Sequence, residues 1–392
     1  MAQIRSKPFG VTKEGANVTE YILSNPGGLT VSVLDYGCVI KSIIVPAKNG
    51  PVDVVVGHDT MADYEADFNS SGSTCCGAFV GRYANRIENA VFTVGGKTYQ
   101  LEPTTAPTTS TLLQPQALPG QILWRHPAHG AESPDGEDGF PGNLKIAVRY
   151  TLTEDNAFRM DYRVSSDADT IVNLTNHSYF NLDGGGDVLN QKLRIYASRY
   201  LEGNNQCCPT GAILPVADTP MDFTAGKLIG REIDTGFAQT TMVGGGYDHC
   251  YVIDRARGSS QSICAWATSD KTGISMKLYT HPAGHPAVHS QLPAGLPHPR
   301  QGRRADAEIR RLCAGNAALP LQPLPPGVPL HGAAGRQGVP RHYHPALLHR
   351  QAVRETVTTQ NGRLPETDSR PFSFSHLHKE GHPSICGRQK ML

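Results

Sequence analysis

The chain has 392 residues, with 36 Lys and Arg, 35 Asp and Glu, and a hydrophobic share of 39%. No apolar run approaches the roughly 18 residues of a membrane span, and the N-terminus lacks the apolar stretch of a secretory signal. Nine cysteines without a CxxC pair indicate neither a disulfide framework nor a zinc site. We therefore expect a reduced, cytoplasmic protein with no membrane partner.

The net charge of +1 is the sum of the charges of two unlike parts. Residues 282–392 carry 14 Lys and Arg against 6 Asp and Glu, so this tail has a charge of +8 and residues 1–281 a charge of −7. The tail also holds 10 of the 16 histidines and 15 of the 29 prolines. This composition predicts a disordered segment. Because the tail lacks clustered Lys and stacking aromatics, we expect no nucleic-acid partner.

Residues 1–281 predict β-structure along most of their length. Runs rich in Val, Ile, Thr and Tyr lie between Gly, Asn and Asp turns. In chain order the predicted strands are 29–34, 38–45, 52–56, a hairpin at 90–101 with two glycines at its turn, 144–152, 158–164, 170–174, 191–197, 251–253 and 274–279. Helical periodicity sustained over about 11 residues is nearly absent, so the pattern predicts an all-β sandwich or barrel.

The segment 81–87, GRYANRI, is the first of three polar segments that are candidates for chemistry. Asn85 and Arg86 offer several fixed hydrogen-bond donors, which suits a ring of sugar hydroxyls. A loop with solvated arginines explains the same residues and is the simpler alternative for this segment alone.

The second polar segment, 172–181, interleaves three asparagines and His177 with Phe and Tyr. Such neighbours can orient an imidazole and set its pKa near neutrality, as general acid–base catalysis requires. A structural histidine with satisfied hydrogen bonds is the alternative. In the third segment, 244–249, Asp248 follows three glycines and either stabilises a turn or accepts hydrogen bonds from hydroxyls. The segment 207–211 indicates only a turn and packing.

Six phrases in register resemble the aldose 1-epimerase (galactose mutarotase) family over residues 8–281. They are YGCVIKSIIVPAKNGPVDVVVGHDT, GRYANRIENAVFTVGGKTYQL, SPDGEDGFPGNL, VNLTNHSYFNLDG, PTGAILPVADTPMDF and GGYDHCYVID. Each phrase is weak by itself, whereas six in the same order are specific. The resemblance implies a large antiparallel β-sandwich that binds a small-molecule sugar in a cleft on one sheet, without a metal or organic cofactor. We also expect a monomer.

The resemblance also implies a reaction, the interconversion of the α- and β-anomers of free aldoses such as galactose and glucose. One group removes the anomeric hydroxyl proton while an acid protonates the ring oxygen, the ring opens, the C1–C2 bond rotates and the sugar recloses. By resemblance His177 is the acid. The residues assigned by resemblance to the substrate are Asn85, Arg86, Ser178, Tyr179 and Asp248.

Two family phrases are missing, and both positions fall in stretches of aberrant composition. Residues 104–119 are rich in Thr, Pro and Leu where the family has a phrase like NNGPNHLHGG, whose second histidine contacts substrate. Residues 282–392 lack a phrase like GFALETQHY, whose glutamate is the base. Shifted codon frames permit both phrases, with the glutamate codon spanning Gly315 and Asn316. We hypothesise that both stretches are out-of-frame translation, which removes the final strands and impairs or abolishes activity.

Two other functions remain open at this point. A non-catalytic sugar-binding sandwich would keep Asn85, Arg86 and Asp248 without a base. An epimerase of the same fold that acts on hexose phosphates would need additional Arg or Lys near the cleft. The phrases NHSYFN and GYDH favour free sugars over phosphorylated sugars.

Overall fold

The computed structural model describes residues 3–70, 73–102, 131–254 and 262–280, together with the backbone of short strands at 108–109, 289–291, 294–295, 311–317, 347–348, 353–355 and 372–376. Most of the two stretches that we predict to be out of frame therefore lies outside the described residues. Where they are described, both stretches form short strands, including residues of the tail for which no strand is expected. The predicted disorder of the tail stays a prediction.

Strands make up most of the regular structure in the described residues. Up to residue 280 the strands are β1 (Gln3–Val11), β2 (Asn17–Ser24), β3 (Thr30–Leu34), β4 (Ile40–Val45), β5 (Val52–Asp53), β6 (Val55–Val56), β7 (Phe79–Val80), β8 (Ile87–Glu88), β9 (Val91–Val94), β10 (Lys97–Gln100), β11 (Thr108–Thr109), β12 (Ala131–Ser133), β13 (Leu144–Leu152), β14 (Phe158–Ser166), β15 (Thr170–Ile171), β16 (Thr175–Asn176), β17 (Ser178–Phe180), β18 (Lys192–Ile195), β19 (Arg199–Gly203), β20 (Pro209–Pro215), β21 (Lys227–Leu228), β22 (Cys250–Val252), β23 (Ser262–Thr268) and β24 (Ile274–Thr280). The tail adds β25 (His289–Gln291), β26 (Ala294–Gly295), β27 (Arg311–Ala317), β28 (Leu347–Leu348), β29 (Val353–Glu355) and β30 (Phe372–His376). The α-helices are α1 (Met61–Phe68) and α2 (Ala238–Met242), and single 3₁₀ turns lie at Glu137–Gly139 and Ile229–Glu232.

The predicted hairpin at 90–101 is confirmed by the antiparallel pair β9 and β10. Gly95 and Gly96 form its turn with φ values of 59° and 76°, which glycine adopts without the steric cost that a Cβ brings. The predicted strand at 144–152 is likewise confirmed as β13, and it pairs along its whole length with β14.

The strands form antiparallel sheets, as a sandwich requires. The largest has eight strands and runs in the order β20-β19-β22-β25-β27-β17-β6, with β26 paired to β27. Two sheets of five strands run β1-β2-β3-β4-β5 and β21-β18-β23-β24-β30, and a sheet of four runs β12-β13-β14-β29. The all-β sandwich expected from the sequence is the observed fold class.

One apolar core joins these sheets. Val31 and Val33 of β3 lie in the same buried cluster as Tyr150 of β13, Leu193 of β18 and Tyr251 of β22. Full burial of such side chains contributes about 1.5–3 kcal/mol each relative to exposure. The core therefore fixes how the strands that carry the polar segments lie relative to each other.

Candidate functional site

The loop between β7 and β8 carries Asn85 and Arg86, and Asn173 holds this loop in place. The Asn173 amide N–H donates to the Arg82 carbonyl at 2.8 Å, and the Ala84 N–H donates to the Asn173 carbonyl at 2.7 Å. The Asn173 side chain also donates to the Ala84 carbonyl at 2.8 Å. Asn85 has a φ of 73°, in the left-handed region that asparagine tolerates well. These backbone hydrogen bonds therefore fix the positions from which the Asn85 and Arg86 side chains extend.

Arg86 links this loop to the turn between β19 and β20. Its Nη1 donates to the Cys207 carbonyl at 3.2 Å. The turn is closed by the Cys207 N–H, which donates to the Asn204 carbonyl at 2.8 Å. The sequence predicts a turn with no chemistry at 207–211. The turn ends at Cys208, whereas residues 209–211 begin β20, so the prediction is wrong for them. The structure adds that Cys207 lines the cleft described below, for which its residue type provides no signal.

Backbone hydrogen bonds hold His177 between β16 and β17. Its N–H donates to the Ala78 carbonyl at 2.8 Å, and its carbonyl accepts from the Gly77 N–H at 3.1 Å. Asn176 donates to the Gly77 carbonyl at 2.8 Å and accepts from the Ser178 N–H at 3.0 Å and hydroxyl at 2.6 Å. These polar neighbours therefore fix the backbone that carries the imidazole. Ser178 is buried and uses its hydroxyl for this purpose.

The His177 ring lies beside the ring of Tyr179, with centroids 5.2 Å apart and planes at 65°. Burial lowers the pKa of His177, whereas the negative charges of Asp248 and Asp67 raise it and the positive charge of Arg86 lowers it. Among the described residues, Nδ1 of His177 is buried without a hydrogen-bond partner. The sequence suggests that polar neighbours tune this imidazole, but burial is the largest influence on its pKa.

Asp248 and Asn85 line one shallow cleft. The cleft is formed by Asn85, Leu201, Glu202, Gly203, Cys207, Pro209, Met242, Val243, Asp248, His249 and Cys250. Two of these side chains are carboxylates and none is Lys or Arg, counting only the described residues. Such a lining suits hydrogen-bond donors such as hydroxyls and disfavours a phosphate.

The large sheet brings His177 and the cleft into one row of residues. Cys250 of β22 pairs with Gln291, and Gln291 pairs with Gly315 of β27. Ser178 pairs with Ala314, so continuing the register by one residue places 315 opposite His177. The row across the sheet is therefore 250, 291, 315 and 177.

In the described part of the chain, no three His, Cys, Asp or Glu side chains are grouped closely enough to hold a metal ion. No helix among those residues has the length and apolar character needed to cross a bilayer.

The fold and site define an antiparallel β-sandwich with amide, imidazole and carboxylate groups along one sheet, and comparison with known proteins specifies the family. The profile of aldose 1-epimerase matches residues 19–285. The chain is 31% identical to aldose 1-epimerase of Escherichia coli K12, over 78% of this chain and 88% of that protein. It is 31% identical to galactose mutarotase of Rattus norvegicus, over 72% of this chain and 81% of that protein.

Solved structures agree with the sequence relatives. A GalM/aldose epimerase homologue from C. elegans superposes with a TM-score of 0.62 and 26% identity, covering 80% of this chain and 90% of that chain. A galactose 1-epimerase from Lactobacillus acidophilus has the same fold, with a TM-score of 0.68, 21% identity and coverage of 82% and 92%. The chain belongs to the aldose 1-epimerase family of isomerases, which interconvert the anomers of hexoses, and the resemblance inferred from the six phrases is confirmed.

Proposed function

We propose that this site binds a free hexose and that His177 is the acid of an anomer-interconverting reaction. The observation that carries the proposal is the convergence of three distant segments. Asn85 and Asp248 line one cleft, the Arg86 guanidinium is bonded to the cleft residue Cys207, and His177 lies in the same row of the sheet. Amide, guanidinium and carboxylate groups offer the mixed donors and acceptors that a ring of hydroxyls requires.

The proposed roles differ among the residues of the second polar segment. His177 protonates the ring oxygen as the ring opens and takes the proton back as it recloses. Tyr179 supports the imidazole through its ring contact at 5.2 Å. Ser178 donates its hydroxyl to Asn176 at 2.6 Å, so we assign it to positioning His177 rather than to the sugar.

The protonation of His177 depends on the neighbouring charges. Burial lowers its pKa, so less of the imidazolium form is present at neutral pH than for an exposed histidine. Asp248 acts in the opposite direction, and a carboxylate brought to the facing strand would act in the same direction as Asp248. We therefore expect a larger imidazolium fraction of His177, and a more effective acid, when a second carboxylate lies near the ring.

The strand opposite His177 carries no carboxylate at the corresponding positions. Residue 315 shares the row of His177 and is glycine, and its neighbour 316 is asparagine. The shifted reading frame has its glutamate codon across these same two residues. We therefore propose that the chain as translated lacks the base and does not catalyse the reaction, whereas the product of the uninterrupted frame does.

Sequencing of the DNA or transcript tests the frame directly, because an uninterrupted frame that encodes residues 104–119 and 282–392 as given would refute it. Polarimetry of freshly dissolved α-galactose tests the catalytic part. We expect no acceleration by the chain as translated and clear acceleration by the frame-restored protein. His177→Ala in the restored protein should lower the rate by roughly 100- to 10,000-fold, the range for a general acid. A restored protein that stays inactive would contradict the assigned roles.

A second experiment tests only the strand register that places residue 315 opposite His177. Gly315→Glu in the chain as translated places a carboxylate in the row of His177, and we expect a small acceleration of mutarotation above the spontaneous rate. Gly315→Gln is the matched control, since it has similar size and no basic carboxylate. Equal rates for the two variants would mean that residue 315 does not face the reacting sugar.

A non-catalytic sugar-binding sandwich is the second candidate, because Gly315 and Asn316 leave the row without a base. Calorimetric binding of galactose by a frame-restored protein that shows no polarimetric activity would favour this function. A hexose phosphate has less support, since the carboxylates of Glu202 and Asp248 in the described cleft lining would repel its charge.

We propose the cytoplasm as the compartment. The cysteines of the described residues are free thiols, which a reducing compartment preserves. Thiol titration with and without reductant checks this, and a disulfide in protein isolated without reductant would count against it.

A further inference from the structure

Asp67, in the last turn of α1, is a carboxylate to which neither the family phrases nor the proposed reaction assigns a role. Only 8% of its side-chain surface is exposed. The carbonyl end of a helix disfavours a negative charge, and the last turn of α1 contains no basic residue. Helix stability therefore does not explain an acidic residue at this position, and its hydrogen-bond partners do.

The carboxylate of Asp67 binds the segment 74–76 with both of its oxygens. Oδ1 accepts from the Thr74 N–H at 2.7 Å, and Oδ2 accepts from the Thr74 hydroxyl at 2.6 Å. Oδ2 also accepts a longer bond from the Cys76 N–H at 3.4 Å. Nε2 of His58 lies 3.2 Å from Oδ2 and donates to it, because a carboxylate can only accept. Burial opposes ionisation of Asp67, but the hydrogen bonds from His58 and Thr74 outweigh burial and hold its pKa below the ordinary value. The group is therefore a fixed anion at neutral pH.

The two residues that follow this segment, Gly77 and Ala78, hold the backbone of His177. The Gly77 N–H donates to the His177 carbonyl at 3.1 Å, and the His177 N–H donates to the Ala78 carbonyl at 2.8 Å. The Gly77 carbonyl accepts from the Asn176 side chain at 2.8 Å. Because these residues directly follow the segment 74–76, the carboxylate on α1 anchors the support of the catalytic imidazole.

The charge of Asp67 also acts on the His177 ring. Burial lowers the pKa of His177, Asp248 and Asp67 raise it, and Arg86 lowers it. Asp248 lines the cleft, whereas Asp67 is not part of the described lining, so its charge acts on the imidazole whether or not a sugar is bound. The other titratable groups that interact with Asp67 are His58, Tyr64 and Cys75. Burial raises the pKa of Tyr64 and of Cys75, so neither of them is charged near pH 7.

We propose that Asp67 is a positioning residue of the reaction, which anchors the segment that holds the His177 backbone and supplies a fixed negative charge to the imidazole. The inference rests on the proposed function, since it requires His177 to be the acid. Asp67 contacts no sugar and transfers no proton. A fixed anion favours the imidazolium form, which is the form that protonates the ring oxygen. Asp67 should therefore raise kcat without changing how tightly the sugar binds.

The pH profile of the frame-restored protein separates this role from a merely structural one. In the profile of kcat, the alkaline limb reports the acid and the acidic limb reports the base. Asp67→Asn is nearly isosteric and removes the charge, so we expect the alkaline limb to move to lower pH while KM stays within about twofold. A His177 pKa lower by about one should lower the rate on the alkaline side about tenfold. A loss of kcat that is equal at every pH, with the limb in place, would overturn the inference.

Asp63→Asn is the matched control on the same helix. Asp63 is exposed, and its carboxylate accepts from the Thr60 hydroxyl at 2.6 Å. This variant should leave the pH profile unchanged. A shift as large as that of Asp67→Asn would show that any charge removed from α1 has the same effect, which would overturn the specific role of Asp67.

Thr74→Val tests the anchoring alone, because it keeps the carboxylate and removes one hydrogen bond to it. In hydrogen exchange by NMR on the chain as translated, the Gly77 amide should exchange about fivefold faster, the factor that a typical hydrogen bond is worth. The His177 pKa should stay the same in this variant and fall in Asp67→Asn. Unchanged exchange at Gly77, or a His177 pKa that Asp67→Asn leaves in place, would overturn the inference. Thr74→Val decides the anchoring even if Asp67→Asn does not fold.

The failure of this inference can be distinguished from that of the proposed function. A frame-restored protein without activity refutes the proposed function, and the role of Asp67 in the reaction fails with it. An active restored protein in which Asp67→Asn leaves the alkaline limb in place refutes this inference alone.

Discussion

Replacement of Arg82 by alanine tests whether the buried Arg82 side chain stabilises the loop that carries Asn85 and Arg86. Arg82 is 1% exposed and is among the largest fully buried side chains of the described residues. Its Nε donates to the Ser133 hydroxyl at 2.7 Å, and its Nη2 donates to the carbonyls of Ser133 at 2.6 Å and Pro134 at 2.7 Å. The variant removes all of these bonds together.

The size of the effect follows from this geometry. Nη1 of Arg82 also donates to the Pro141 carbonyl at 3.0 Å, so four acceptors lose a charged donor. A hydrogen bond to a charged group is worth about 1.5–3 kcal/mol, but bonds in one network are not additive. Leaving one buried acceptor unpaired costs about 1–3 kcal/mol, so four acceptors that relax in part lose a few kcal/mol together. We expect Arg82→Ala to lower the free energy of unfolding by about 4 kcal/mol.

Urea unfolding followed by tryptophan fluorescence measures this change, and a constant m-value verifies that both proteins unfold in the same way. Arg149→Ala is the matched control, because Arg149 is exposed on β13 and should change stability by less than about 0.5 kcal/mol. Arg82→Lys should recover less than half of the loss, since one ammonium cannot replace a forked guanidinium. A loss below about 1 kcal/mol for Arg82→Ala would refute the reasoning.

Three further predictions concern charges and a glycine near His177. Burial lowers the His177 pKa and Asp248 raises it, so Asp248→Asn should lower this pKa further in an NMR titration; an unchanged or higher value contradicts the electrostatics. Gly77→Ala places a Cβ 2.3 Å from a backbone carbonyl oxygen at a φ of 72°, so urea unfolding should show a loss of at least about 2 kcal/mol. Gly96→Ala, with no atom within 4 Å at a φ of 76°, should lose less. Burial opposes ionisation of Asp67, yet hydrogen bonds from neighbouring side chains hold its pKa below the ordinary range. A lowered folded-state pKa stabilises above the unfolded-state value of about 4, so Asp67→Asn should be most destabilising near pH 7 and the difference should shrink below about pH 4. A difference that grows in acid would rule this out.

The strands that the sequence predicts most closely are those with local signals. The hairpin β9–β10 has alternation on both sides of two glycines, and β13 combines alternation with β-branched and aromatic residues. Such signals require no knowledge of the rest of the chain, because the turn and the pleat are determined by neighbouring residues.

Local sequence signals do not predict the strands at the sheet edges. β1 is mostly exposed and contains Arg, Ser, Lys and Pro, so its extended form comes from pairing with β2. β20 contains Pro209, Gly211 and Pro215, which predict a turn, but it lies at the edge of the large sheet. An edge strand can carry proline because one side of it needs no ladder hydrogen bonds.

The candidate site likewise contains residues that the sequence indicates and features that only the structure shows. Asn85, His177 and Asp248 stand out in the sequence because polar residues cluster beside predicted strands. The tautomer of His249 does not, since nothing beside it in the sequence says which ring nitrogen carries the proton. Its tautomer depends on Gln239 and Gly203, ten and 46 residues away along the chain.

The sequence by itself determined the class of fold, the family and the polar segments that carry the chemistry, because alternation, turn residues and motif order are properties of neighbouring residues. It also determined that the charge of +1 joins an acidic body to a basic tail. The tertiary structure decided which groups meet. The row that joins Cys250 to His177 through residue 315 arises from the pairing of strands distant in the chain. Long-range hydrogen bonds and shared core packing specify that pairing, and no local pattern contains it.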